Sequence, residues 1–171
     1  MRRGLTARPF RLKPHYLVLA SLLAAPGYLG AATKTTTFTV SLTLQNDCAI
    51  SANALNFGTQ GVLTANVDQT TSLSVTCSAT APYNVGLDAG TTTGSTIAAR
   101  LLAGTGTATV GFQLYRDSAR TQIWGNTVGT DTVTGTGTGT AQTLTVYGRV
   151  PPQNTPAAGT YTSTVTATIT F

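Results

Sequence analysis

The chain has 171 residues, a formal net charge of +5 and only 9% charged residues. Its excess cations are Arg2, Arg3, Arg8, Arg11 and Lys13; from residue 33 onward Lys34, Arg100, Arg116, Arg120 and Arg149 are balanced by Asp47, Asp68, Asp88, Asp117 and Asp131, and no glutamate occurs. Nucleic-acid binding is excluded on this count, because it needs a clustered basic surface that a neutral chain lacks.

Residues 1–32 read as a secretory signal. The cations form its positive start, residues 16–25 its apolar stretch, and Gly30-Ala31-Ala32 supplies small residues for cleavage after Ala32. A membrane anchor is the rival, but Pro14, Pro26, Gly27 and Gly30 interrupt the run short of the ~18–20 apolar residues a span needs. The remaining stretch of about 140 residues suits one domain with a single core. Threonine makes up roughly a quarter of it, and no 3.6-residue apolar period persists, so strands are expected and almost no helix.

In residues 35–50, Phe38, Val40, Leu42, Leu44, Cys48 and Ile50 share one parity and threonine, serine and glutamine fill the other, which predicts a strand with one apolar face. Leu55-Asn56-Phe57-Gly58 follows. Residues 72–77 alternate again through Leu73, Val75 and Cys77. Cys48 and Cys77, in an exported chain, predict a disulfide; unpaired buried thiols are the alternative. Closing a loop of about 30 residues stabilises by roughly 3 to 4 kcal/mol on the chain-entropy model. Both cysteines fall on inward parities, which suits a buried bridge between packed sheets or neighbouring strands.

Tyr83, Val85 and Leu87 mark a short strand ended by Asp88-Ala89-Gly90, with a Thr/Gly-rich loop beyond. Val110, Phe112 and Leu114 predict a strand that enters a hairpin at residues 115–120, after which Ile123 and Trp124 resume apolar character. The Gly-Thr repeat over residues 134–140 reads as a flexible surface loop. Leu144, Val146 and Val150 form a strand stopped by Pro151-Pro152, since proline cannot donate to a ladder. In the last strand Tyr161, Val165, Ala167, Ile169 and Phe171 alternate with threonines, so Phe171 is expected to face the core. Short strands at regular spacing predict an all-β, immunoglobulin-like antiparallel β-sandwich.

Catalytic chemistry has little to stand on. The only histidine, His15, lies in the signal segment, so triads and zinc sites lack ligands. Each aspartate neighbours a turn signal, which explains it without a catalytic pair. Thr33 would head the processed chain, but a threonine nucleophile needs a positioned base and an oxyanion hole. Gly104-Thr105-Gly106 is a turn and no phosphate loop. Arg116, Asp117 and Arg120 form a charge cluster read as a solvated hairpin tip. Trp124 and Tyr147 are candidates for glycan contact or for core packing. No catalytic residue, metal site or cofactor is expected, and the chain is not read as an enzyme.

The strand running into Cys48, the Leu55-Asn56-Phe57-Gly58 turn, the Tyr115-Arg116-Asp117-Ser118-Ala119-Arg120 hairpin and the final Gly159-Thr160-Tyr161 strand ending in Phe171 resemble the spore coat protein U domain. That family includes subunits of archaic chaperone-usher pili. The resemblance implies an incomplete sandwich that lacks its final strand and is completed by donation. A periplasmic chaperone would fill the gap first, and copies of the chain or related pilins, assembled at an outer-membrane usher, would fill it afterwards. Residues 33–46 would be the donor segment and residues 47–171 the domain. Phe38, Val40, Leu42 and Leu44 would be the plugs, and Tyr161, Val165, Ala167, Ile169 and Phe171 the strand at the groove edge. The implied function is a structural subunit of a surface fibre, exported through the periplasm, with a role in attachment or biofilm formation. The alternative is a secreted spore-coat or surface matrix protein that does not polymerise through its N-terminal strand.

Overall fold

The computed structural model describes residues 30–171. The expected signal segment therefore lies outside the described residues except for its last three positions. The chain divides into two units, Met1–Ser41 and Leu42–Phe171. In the first, residues 30–41 form no strand and are exposed.

The second unit contains eight strands and no helix: β1 (Cys48–Ala52), β2 (Val67–Cys77), β3 (Pro82–Leu87), β4 (Arg100–Ala103), β5 (Thr109–Tyr115), β6 (Val133–Thr136), β7 (Ala141–Val150) and β8 (Ala167–Thr170). They build two antiparallel sheets, one of five strands in the order β1-β2-β7-β5-β4 and one of three in the order β6-β3-β8. The period-2 alternation decides which faces meet. Leu73, Val75 and Cys77 of β2, Tyr83, Val85 and Leu87 of β3 and Val110, Phe112 and Leu114 of β5 are all buried. Thr70, Ser72, Ser74 and Thr76 take the other parity of β2 and are exposed or half-buried, with the Ser72 hydroxyl accepting from the Asn53 side-chain amide at 3.0 Å.

The cysteines pair as expected. Cys48 lies directly opposite Cys77 in the β1–β2 ladder, with Cα atoms 4.1 Å apart, so the bond joins neighbouring strands of one sheet. Trp124 is fully buried, and its indole N–H donates to the Val85 carbonyl at 2.8 Å, which ties the chain after β5 to β3. Core packing therefore accounts for Trp124. Tyr147 on β7 lies under the Arg120 guanidinium, 5.7 Å from its ring centre.

Four expectations differ from the structure. The first strand was expected across residues 35–50, yet β1 begins at Cys48 and the residues before it are exposed. The Gly-Thr repeat is no simple loop: residues 133–136 form β6 and pair with β3. Its glycines serve close approach, since a Cβ at Gly135 would collide with the Tyr83 ring and one at Gly137 with the Ser78 carbonyl. The Thr/Gly-rich segment after Gly90 ends in β4, which periodicity alone does not reveal because it is only four residues long. At the C-terminus the parity holds, with Tyr161, Val165, Ala167 and Ile169 half-buried, but the ladder covers only Ala167–Thr170 and Phe171 is 54% exposed. The final residue has no strand neighbour opposite it to cover its ring.

Candidate functional site

The inner faces of both sheets are buried along their length, but they are not equally closed at the two ends. Around the disulfide, Val75, Cys77, Tyr83, Val85 and Trp124 are each at most 2% exposed. At the opposite end the inner faces part around an apolar groove of about 1090 Å³. Its floor includes Leu73, Leu87, Phe112, Val146 and Val150.

Two rims flank the floor. One is the segment after β1, where Leu55 and Phe57 pack over Gly148; a Cβ there would crowd both side chains. Asn56 accepts a bond from the Gly58 N–H at 2.8 Å through its side chain, and Gly58 has φ +74°, so the expected turn forms. The Phe57 ring meets Phe112 edge-on, with centroids 6.4 Å apart.

The other rim is residues 155–167. Tyr161 sits against Gly104, where a Cβ would collide with its ring, and its hydroxyl donates to the Ala157 carbonyl at 2.7 Å. Thr162 bridges to Ala103 of β4. Further along, side chains take the backbone N–H groups, with Thr164 N–H donating to the Thr91 hydroxyl and Thr166 N–H to the Asp88 carboxylate at 2.9 Å, while the Thr166 carbonyl still accepts from the Asp88 N–H. β8 is the last strand of its sheet, so its outer edge has no strand partner among the described residues. The rims meet at the far end, where the Leu63 N–H donates to the Thr155 hydroxyl and the Gln153 N–H to the Leu63 carbonyl.

Arg100 anchors the boundary between the covered and open ends. It is wholly buried and donates to Leu87 O at 3.0 Å, Trp124 O at 2.7 Å, Asp88 O at 2.9 Å and Gln113 Oε1 at 2.6 Å. Burial pulls its pKa down to about 10, against the opposing pull of Asp88 and Asp131. Burial works to raise the Asp88 carboxyl, but hydrogen bonds from Thr166 and Gly90 and the charge of Arg100 outweigh it and hold the group below its ordinary value. Sequence reading did not single out Arg100. Its only signal was an arginine beside two leucines at the end of a loop.

Among the residues expected to form the site, Tyr161, Val165 and Ala167 border the groove. Ile169 instead packs on the covered core, and Phe171 lies beyond it. Phe38, Val40, Leu42 and Leu44 are 85%, 83%, 82% and 84% exposed. In the charge cluster, Asp117 accepts from Thr121 and Gln122 as a turn former, while Arg120 reaches Asp68 at 3.4 Å and Arg149 pairs with the same carboxylate at 2.7 Å. The Arg149 hydrogen bond, against burial and helped by the two cations, lowers the Asp68 pKa. Among the described residues no group of His, Cys, Asp or Glu is arranged to hold a metal ion.

An all-β sandwich with one end held open is thus the class that fold and groove define. The model of the Spore Coat Protein U domain matches residues 34–168, and the chain belongs to that family. It is similar to Protein U of Myxococcus xanthus, 36% identical over 167 residues that cover 89% of this chain and 93% of that protein. Among solved structures it is similar in fold to a chain of the CsuC-CsuE chaperone-tip adhesion subunit pre-assembly complex from archaic chaperone-usher Csu pili of Acinetobacter baumannii. That match has a TM-score of 0.55 and 23% identity, and covers 75% of this chain. It spans 41% of the solved chain, less than half its length.

Proposed function

We propose that the chain is a structural subunit of an exported surface fibre, assembled by donor-strand complementation, in which the groove receives the N-terminal segment of another copy. The observation that carries the reading is the pairing of an apolar groove with four exposed apolar side chains at alternate positions, Phe38 to Leu44. Such a segment adds a strand by main-chain bonding and fills pockets with every second side chain. Burying four such groups would contribute about 1.5–3 kcal/mol each. Tyr161, Val165 and Ala167 would border the inserted strand, with Ile169 and Phe171 continuing the same edge.

Directionality supports exchange between copies. The N-terminal segment joins the domain at Cys48, at the covered end, whereas the groove opens at the other. Head-to-tail exchange of this kind gives open filaments. The likeness in fold to a chain of a chaperone-tip adhesion subunit pre-assembly complex supports a periplasmic chaperone as the first occupant; an usher as the assembly site and the cell surface as destination belong to the same proposal. Attachment or biofilm formation is the role such a fibre would serve.

The test is to export residues 33–171 and residues 46–171 separately and compare them by size exclusion and electron microscopy. Multimers or fibres from the longer chain alone, restored to the shorter one by a longer partner, are expected. A stable monomer from the longer chain would contradict the proposal. It would favour a secreted coat or matrix protein, the reading that the 36% identity to Protein U supports.

A further inference from the structure

The point where the N-terminal segment leaves the domain is gripped by one hydroxyl. Ser78 Oγ accepts from the Asp47 N–H at 3.1 Å and shares its one proton between the Gln45 carbonyl at 3.3 Å and the Asp47 carbonyl at 3.4 Å. The Ser78 N–H donates to the Asp47 carbonyl at 2.9 Å, and the Asp47 carboxylate turns back to accept from the Cys48 N–H. Residues 45–47 are exposed and belong to no strand, so these bonds are what holds them.

The support behind Ser78 is stiff. The disulfide joins Cys48 to Cys77, the two residues adjoining the grip on either side, so its halves cannot separate. The turn after Ser78 closes by the Ala81 N–H donating to the Ser78 carbonyl, and Thr80 takes φ +68° within it. Gly137 packs so closely on the Ser78 carbonyl that no side chain fits between them. A hydroxyl on such a platform fixes a direction better than the exposed backbone it holds would fix its own.

We propose that Ser78 is the joint that sets how the N-terminal segment leaves the domain, and thereby the stiffness of the link between neighbouring copies in a fibre. This rests on the donor-strand reading. Asp47 and Gln45 meet Ser78 through backbone atoms, and one of those bonds comes from the Ser78 N–H, so the part of the grip that a substitution removes is the Ser78 hydroxyl.

The experiment compares the full exported chain with Ser78→Ala and, as the variant that keeps the hydroxyl, Ser78→Thr. Fibre persistence length is read by electron microscopy, and backbone order of residues 45–47 by NMR relaxation on soluble chain. Ser78→Ala should assemble in wild-type yield but give fibres of shorter persistence length, because the bonds made by the hydroxyl at the hinge are lost. Order at residues 45–47 should fall with it, and Ser78→Thr should restore both. Unchanged stiffness in Ser78→Ala overturns the joint. Should the wild-type chain form no fibres, the donor-strand reading fails separately, and the joint is decided on soluble chain: unchanged order at residues 45–47 overturns it, and lost order upholds the grip.

Discussion

The covered and open ends of the sandwich are made by the same alternating pattern and differ only in what lies opposite. Near the disulfide, Val75 of β2 and Val85 of β3 belong to one buried cluster, and both are fully buried. Further along the same strands, Leu73 and Leu87 point the same way but the space between sheets opens into the groove. Alternation therefore tells which face is apolar. It does not tell whether the chain itself supplies the cover.

The sharpest way to break this contrast is at its boundary. Arg100→Leu would leave several buried acceptors without a donor, at about 1–3 kcal/mol each, so a loss on the order of 4 kcal/mol is expected in chemical denaturation. Replacing both cysteines by alanine loosens only the covered end, and should lower stability by about 3–4 kcal/mol on the chain-entropy model. Paired truncations sharpen the comparison further. Val85→Ala, at the covered end, should cost about 2 kcal/mol in the isolated domain, while Leu102→Ala, beside the groove, should cost less than about 1 kcal/mol there and weaken occupancy of the groove instead.

A smaller effect concerns the rim. Asp88 holds Thr166 with a carboxyl whose folded pKa lies below its unfolded value. Its contribution is complete above the ordinary carboxylate range and is lost as pH falls through the lowered folded value. Thermal melts across acidic pH should show that loss, and Asp88→Asn should flatten it. A variant with the same acid profile as wild type would show that the rim is held by other groups.

Much of the fold was legible because period-2 alternation is a strong signal: the strands around Leu73, Val85, Phe112 and Val146 follow from it, while the Cys48–Cys77 pair follows from an even cysteine count in a chain read as exported. β6 was missed because glycine carries no side chain to alternate, and its role, close approach to Tyr83 and Ser78, exists only in three dimensions. β4 is too short for a period, and Arg100 was hidden because burial of a cation depends on carbonyls from β3 and the Trp124 turn, distant in sequence. The apolar parity of residues 38–44 was plain. Its lack of a strand partner was not, since sequence records a face and not what covers it.

The most direct test titrates a peptide of residues 35–45 into the chain beginning at residue 46, with hydrogen exchange followed residue by residue. The account predicts saturable binding, with new amide protection at residues 161–167 and along Leu55 to Phe57, and loss of binding when Val40 and Leu42 are both changed to aspartate. Saturating peptide that leaves exchange along both rims unchanged would contradict it.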